Sequence, residues 1–386
     1  MFRQLPHTFF GFALLLSSSA APAPSSAQVN GGTAKAAAES RARDREIAAR
    51  FAPVFFQALG DRRRGNFITN FDFDGDWRGD NNWSHAEVQA HRLRAFVYYA
   101  VSETPTHFLV HYAVFHPRDY KGGSLRGALL SQAIKEGVRR GGKFDPTGLS
   151  ESAVLAHEND MEGCLVVAAK GGGGDLAGAA VVFVETLAHD RFMKYVPAGS
   201  PRAGFQTVRV DGQRPALYVE AKGHGVYAYD ERDPKHAPGS GVLRCEYVAR
   251  ADDPEGHGAT AKNLVGYDLV SIHDTLWPRA RRSPNPTFGA KYDYGTRSVS
   301  VAQAAGRPLT RRFKLGELGA AFAGGVGAAN AARPPWAWFD REERAQPLGE
   351  WFFDPASVVK RHFGLGDDFA LAYLHHPFLG VRRKGK

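Results

Sequence analysis

Ile47, Phe51, Val54, Phe55 and Ala58 recur at three- and four-residue intervals, the spacing of one buried helix face, and Pro53 inside the run predicts a kink or a division in two. Beyond Gly60 the pattern changes to short runs of aromatic and β-branched residues separated by Gly, Pro and Asp. Residues 96–101 and 108–115 flank Thr104-Pro105-Thr106, and residues 164–169 and 179–185 flank the glycines at 171–174, so two hairpins are expected. Further strands are expected at 216–222, 226–229, 243–249 and 266–272, and helices at 125–139 and 357–363. The stretch 319–332 is rich in Gly and Ala with loose patterning, which reads as a loop or an irregular helix. Many short strands with turn signals between them predict a mainly β protein, an antiparallel β-sandwich with a few peripheral helices.

The start of the chain adds a compartment. Arg3 precedes an eight-residue apolar stretch at 9–16, and Ser25-Ser26-Ala27 follows, the layout of a secretory signal peptide over 1–27. Residues 28–40 then form a flexible N-terminal segment, and 41–386 a single β-rich domain with a C-terminal extension. The formal charge of +9 falls by the single Arg3 when the leader is removed, and the basic residues are scattered without a nucleic-acid motif. Nucleic acid is therefore not an expected partner, whereas an anionic lipid or glycan surface is compatible. Cys164 and Cys245 either form one disulfide or stay as buried thiols.

Candidate chemistry concentrates at His157-Glu158-Asn159-Asp160-Met161-Glu162. If Asp160 and Glu162 begin a strand, its period of two places both carboxylates on one face, with His157 able to fold back from the preceding turn. Oxygen donors suit Ca²⁺ or Mg²⁺, and an imidazole adds Mn²⁺ and Zn²⁺ as alternatives. Upstream, the apolar run 112–115 ends in His116-Pro117-Arg118-Asp119. An aromatic strand ending in Pro-basic-Asp, followed by His-x-x-Asp-x-Glu at the next strand, resembles the core motif of the necrosis- and ethylene-inducing-like proteins. The resemblance implies a secreted β-sandwich acting on membranes, with Asp119, His157, Asp160 and Glu162 holding a divalent cation, usually calcium. It covers about 60 residues. The family's motif begins Gly-His-Arg-His-Asp-Trp-Glu, and here its second His and its Trp are replaced by Asn159 and Met161.

Asp72, Asp74 and Asp76 alternate around Gly75 and form a candidate second ion site, although the run departs from the EF-hand template, or else a turn network bonded to backbone donors. His224, between Gly223 and Gly225, is a candidate base or extra ligand, with His116 and His189 next in order. Nucleophile elbows, zinc-protease helices, phosphate loops and dinucleotide fingerprints are missing from the sequence. The aromatic groups at 336–339 and 351–353 read as core or as an exposed lipid- or sugar-contacting patch. Three functions follow: a secreted cation-dependent protein that recognises a membrane or glycan surface, effector-like in character; a metal-dependent hydrolase of phosphoesters or lipids in which His224 or His157 moves a proton; or an exported structural domain with a stabilising ion.

Overall fold

Pro53 stops a helix and starts a strand. Helix α1 (Ser26–Phe51) ends two residues before it, and Val54-Phe55-Phe56, all β-favouring, open β1 (Val54–Ala58). The apolar run thus divides between two kinds of structure. The structure, a computed structural model, describes residues 26–60, 63–119, 156–172, 174–237, 241–256, 264–302, 308–326 and 332–383. The expected helix at 125–139 lies outside them. Contacts divide the chain into Met1–Arg41 and Ala42–Lys386. In the first unit, Lys35 and Glu39 face each other one helical turn apart. The rest of the description concerns the second unit.

Strands β2 (Phe96–Glu103) and β3 (His107–Asp119) form the first expected hairpin, and β4 (His157–Ala169) and β5 (Ala180–Ala188) the second. They are followed by β6 (Arg191–Pro197), β7 (Gln206–Val208), β8 (Val210–Asp211), β9 (Arg214–Val219), β10 (Val226–Ala228), β11 (Val242–Tyr247) and β12 (Leu264–Ser271). Together these twelve make one sheet with the path β10-β9-β1-β11-β12-β2-β3-β4-β5-β6-β7, β8 pairing with β9.

This corrects the expected antiparallel sandwich. The β1/β9, β11/β12, β12/β2 and β6/β7 pairs are parallel, so the sheet is mixed. It also curls back on itself: β10 lies against β4 and β5, with the Thr186 hydroxyl donating to the Val226 carbonyl at 2.5 Å, which leaves the sheet almost barrel-shaped. The cause is β1. It inserts between β9 and β11, partners far away in sequence, and is buried on both faces, which is why its side chains show no alternation.

A large core fills the interior, and a small second cluster of Val54, Phe56, Ala58, Ala216 and Val242 lies on the other face of β1. Phe51, Phe55, Phe108, Tyr112 and Tyr267 are fully buried in the large core, and the Tyr112 and Tyr267 hydroxyls donate to the carbonyls of Ala48 and Pro53 at 2.6 and 2.7 Å. Trp336, Trp338 and residues 351–353 are buried, so the aromatic groups are core and not a patch. Cys164 and Cys245 are free buried thiols; β4 and β11 are separated by three intervening strands, so the candidate disulfide does not form. The stretch expected to be a loop or helix contains a strand, β16 (Glu317–Phe322), after β13 (Phe288–Asp293), β14 (Thr296–Ala302) and β15 (Pro308–Lys314). It pairs with β13 because Gly319 has no side chain: a Cβ there would lie 2.6 Å from the Phe288 side chain.

Candidate functional site

Strands β3 and β4 pair antiparallel, with Asp119 opposite His157 and His116 opposite Asp160. Regular alternation would send His157 and Asp160 to opposite faces. Asn159 prevents this by taking a left-handed conformation, φ 68°. Its amide is fully engaged: Nδ2 donates to the carbonyls of Gly79 (2.6 Å) and Ala323 (2.7 Å), and Oδ1 accepts from Asn82 Nδ2 (2.6 Å). His157 and Asp160 therefore meet, Nε2 to Oδ1 4.0 Å, and the same Nε2 lies 3.3 Å from Asp119 Oδ2. All three side chains are buried.

The second oxygen of each carboxylate is held by the loop between β9 and β10. Gly223, with φ 76°, turns its N–H onto Asp119 Oδ1 at 2.9 Å, and His224 Nδ1 bonds Asp160 Oδ2 at 2.7 Å. His224 Nε2 bonds Asn66 Oδ1 at 2.8 Å, and Asn66 is itself oriented by donating to the Leu59 carbonyl. Both nitrogens of this fully buried ring are thus occupied. The His116 ring stacks on His224 with centroids 3.8 Å apart and planes 9° from parallel. Burial, with the neighbouring His224, pushes the His116 pKa well below its usual value. His157 goes the other way: burial opposes its charge, but the hydrogen bond to Asp119 and the charges of Asp119 and Asp160 raise its pKa to about 9. Asp119 and Asp160 thus meet at the His157 imidazolium, and Asp160 bonds the His224 ring as well.

Glu162, the fourth expected ligand, is engaged elsewhere. Both its oxygens accept the backbone N–H of His189 at 3.0 Å, and His189 Nε2 pairs with Glu220 Oε1 at 2.7 Å. Three of the four residues meet and Glu162 stands beside them. Among the described residues, no group of three or more His, Cys, Asp or Glu side chains is arranged as a ready cage for a metal ion. His157 itself occupies the space between the carboxylates. The donor chemistry of Asp119, His157 and Asp160 nevertheless fits a divalent cation, since each carboxylate has one oxygen fixed by a protein donor and one turned toward the shared centre.

Glu158, unassigned from the sequence, faces away from this cluster and braces it. Its oxygens accept the N–H groups of Trp83 (2.8 Å), Val326 (2.8 Å) and Gly325. Asn66, Glu158 and Glu220 carry no sequence signal, because each acts through partners remote in the chain. Asp72, Asp74 and Asp76 form a local network instead of converging: Asn70 donates to Asp72, Asp76 N–H to Asp74, Arg78 N–H and Asn81 to Asp76, and His85 pairs with Asp74 at 2.5 Å.

No family model matches the chain, and no curated protein matches it. Solved structures do. One, described as a toxin fold for microbial attack and plant defense, has 14% identity and a TM-score of 0.26 over 47% of this chain and 66% of that one, just under two thirds of its length. Necrosis and Ethylene inducing Protein 2, from the causal agent of cocoa's Witches Broom disease, has 14% identity and a TM-score of 0.29 over 61% of this chain and 77% of that one. The non-toxic HaNLP3 protein has 15% identity and a TM-score of 0.27, covering 59% and 74%.

Proposed function

We propose that this protein is exported and recognises a membrane or glycan surface through a divalent cation, Ca²⁺ in the first instance, held by Asp119, His157 and Asp160 with Glu162 beside them. One observation carries the reading: two buried carboxylates from neighbouring strands are held 3.3 and 4.0 Å from the same imidazole nitrogen and share its positive charge. Burying two carboxylates costs several kcal/mol unless a cation compensates them. An ion entering there takes the place of the His157 proton, so its affinity rises with pH. Around it, the His224 and His189 loops would present the surface that meets the ligand, an anionic lipid or glycan head group. Hydrolysis is the weaker reading, since His224, its candidate base, has both ring nitrogens already bonded within the protein.

The test is metal content and melting of the purified chain with and without chelator, beside Asp119→Asn/Asp160→Asn. An ion at one hundred times its dissociation constant adds about 2.7 kcal/mol. About one ion per chain, a chelator-sensitive melting temperature, loss of both in the variant, and Ca²⁺-dependent retention on vesicles or immobilised glycans are expected. Equal melting of both proteins with and without chelator, and no bound ion, refutes the proposal.

A further inference from the structure

On the other side of the loop gripped by Asn159, three arginines converge without a lining carboxylate. A cleft of about 400 Å³ is bounded by Trp77, Arg78, Arg279, Arg282, Asn285 and Thr287. Its frame is fixed by hydrogen bonds. The Thr287 hydroxyl donates to the Trp77 carbonyl at 2.7 Å, Gly79 N–H to the Pro286 carbonyl at 2.9 Å, and Asn285 Nδ2 to the Arg279 carbonyl at 2.8 Å. Asn285 Oδ1 accepts the N–H groups of Thr287 and Phe288.

The charges in the cleft do not balance. Arg78 is neutralised by a two-point contact with Asp80, at 3.1 and 3.0 Å. Arg279 lies over Trp77, its guanidinium carbon 3.4 Å from the ring centroid, and spends one nitrogen on the Thr275 carbonyl at 2.8 Å. Arg282 spends its Nε on the Pro278 carbonyl at 3.0 Å and is otherwise exposed. Neither makes an ion pair among the described residues; Asp72 acts on Arg279 only through its field. A guanidinium carries five N–H donors, so both retain forks free to meet an oxyanion. The Trp77 ring and the Thr275 carbonyl restrain the Arg279 side chain, which reduces the entropy lost when it binds.

We propose that this cleft binds a phosphate monoester group between Arg279 and Arg282. Two neighbouring guanidiniums without an ion-paired carboxylate suit a dianion, and a phosphate monoester carries close to two negative charges at neutral pH, whereas a sulfate ester or carboxylate carries one. Bidentate pairing of arginine with phosphate supplies the geometric match. The proposal is independent of the cation reading, since none of the cleft residues belongs to the Asp119, His157 and Asp160 cluster.

The experiment is calorimetric titration of the whole chain, in chelator so that the cation plays no part, with glycerol 3-phosphate and with methyl sulfate. Sedimentation with phosphatidate and with phosphatidylcholine vesicles runs beside it. Binding of glycerol 3-phosphate assigns a soluble source, and binding of phosphatidate vesicles alone assigns a membrane source. In either case Arg282→Ala weakens binding about tenfold, the equivalent of ~1.4 kcal/mol, without changing the unliganded melting temperature. Arg282→Lys, which keeps the charge and loses the fork, falls between. The proposal is overturned if neither phosphate probe binds, if methyl sulfate binds as tightly as glycerol 3-phosphate, or if Arg282→Ala binds like the wild type.

Discussion

Replacing Asp119 by Asn in metal-free protein tests the central electrostatic claim directly. The amide keeps an oxygen for the Gly223 N–H and removes the charge beside His157. In the folded protein His157 has a pKa of about 9, against about 6.5 in the unfolded chain. The folded state therefore holds the proton more tightly, and the resulting stability is fully present below about pH 6.5 and lost as pH rises through 9. Linkage over that shift gives about 3 kcal/mol at pH 6.5, about 2 at pH 7.5 and almost nothing at pH 10. The assay is urea unfolding in chelator at half-unit steps from pH 6 to 10, for wild type and Asp119→Asn. Tyr98, Tyr112 and Tyr267, whose pKa values burial raises, erode stability at the alkaline end of both proteins alike, so the difference between the curves isolates His157. That difference should shrink by up to about 2 kcal/mol between pH 7.5 and 10, the charge of Asp160 retaining part of the shift in the variant. Parallel curves, or an NMR titration of wild-type His157 centred near 6.5, would refute the reasoning.

Other consequences are open to simpler measurements. Glu158→Ala strips the acceptor from three backbone N–H groups and should cost about 3 to 5 kcal/mol in chemical denaturation, a loss that Glu158→Gln only partly repairs. Gly163→Ala places a Cβ 2.0 Å from the Tyr112 carbonyl oxygen and 2.9 Å from the Trp338 ring, so at least about 2 kcal/mol and several degrees of melting temperature should be lost. Burial lowers the pKa of His111 to about 4 and of His376 to about 3, so their neutral forms stabilise the fold above about pH 6.5 and that stability drains as pH falls. Each should remove about 1.3 kcal/mol between pH 7.5 and 5.5, and His376→Phe should flatten the acid limb of a melting-temperature profile. Because Cys164 and Cys245 are free, a reductant should leave the melting temperature unchanged, and both thiols should react with a thiol reagent only after denaturation.

Local patterning made much of the strand layout readable. The hairpin flanking Thr104-Pro105-Thr106 and the one around the glycines at 171–174 formed where turn residues separate β-branched runs, and β9, β10, β11 and β12 fall within a few residues of their expected limits. The sheet's order was not readable. Nothing local in Val54-Phe55-Phe56 announces that its neighbours come from 214–219 and 242–247, and the same residues fit a helical period equally well. The candidate site divides in the same way. Asp119, His157, Asp160 and His224 are brought together, because strand pairing and a Gly-flanked loop are local devices. Glu162 is drawn off by a main-chain N–H that has no residue signature. Asn66 orients His224 across 158 positions in the chain, beyond the reach of any spacing argument.

The position of β1 also governs how the chain can fold. An early, largely apolar segment supplies the central link between β9 and β11, so it cannot be paired until residues well over a hundred positions later are available. Closing so long a loop before any hydrogen bond forms makes the step slow and leaves Val54-Phe55-Phe56 exposed to aggregation meanwhile. The hairpins β2/β3 and β4/β5, which need only near neighbours, can assemble first and wait. Capture of β1 is then the last commitment: it joins the segment containing β9 and β10 to the one containing β11 and β12. Since the β9–β10 loop supplies Gly223 and His224, the strand that β1 pairs with is also the one that leads into the acidic cluster.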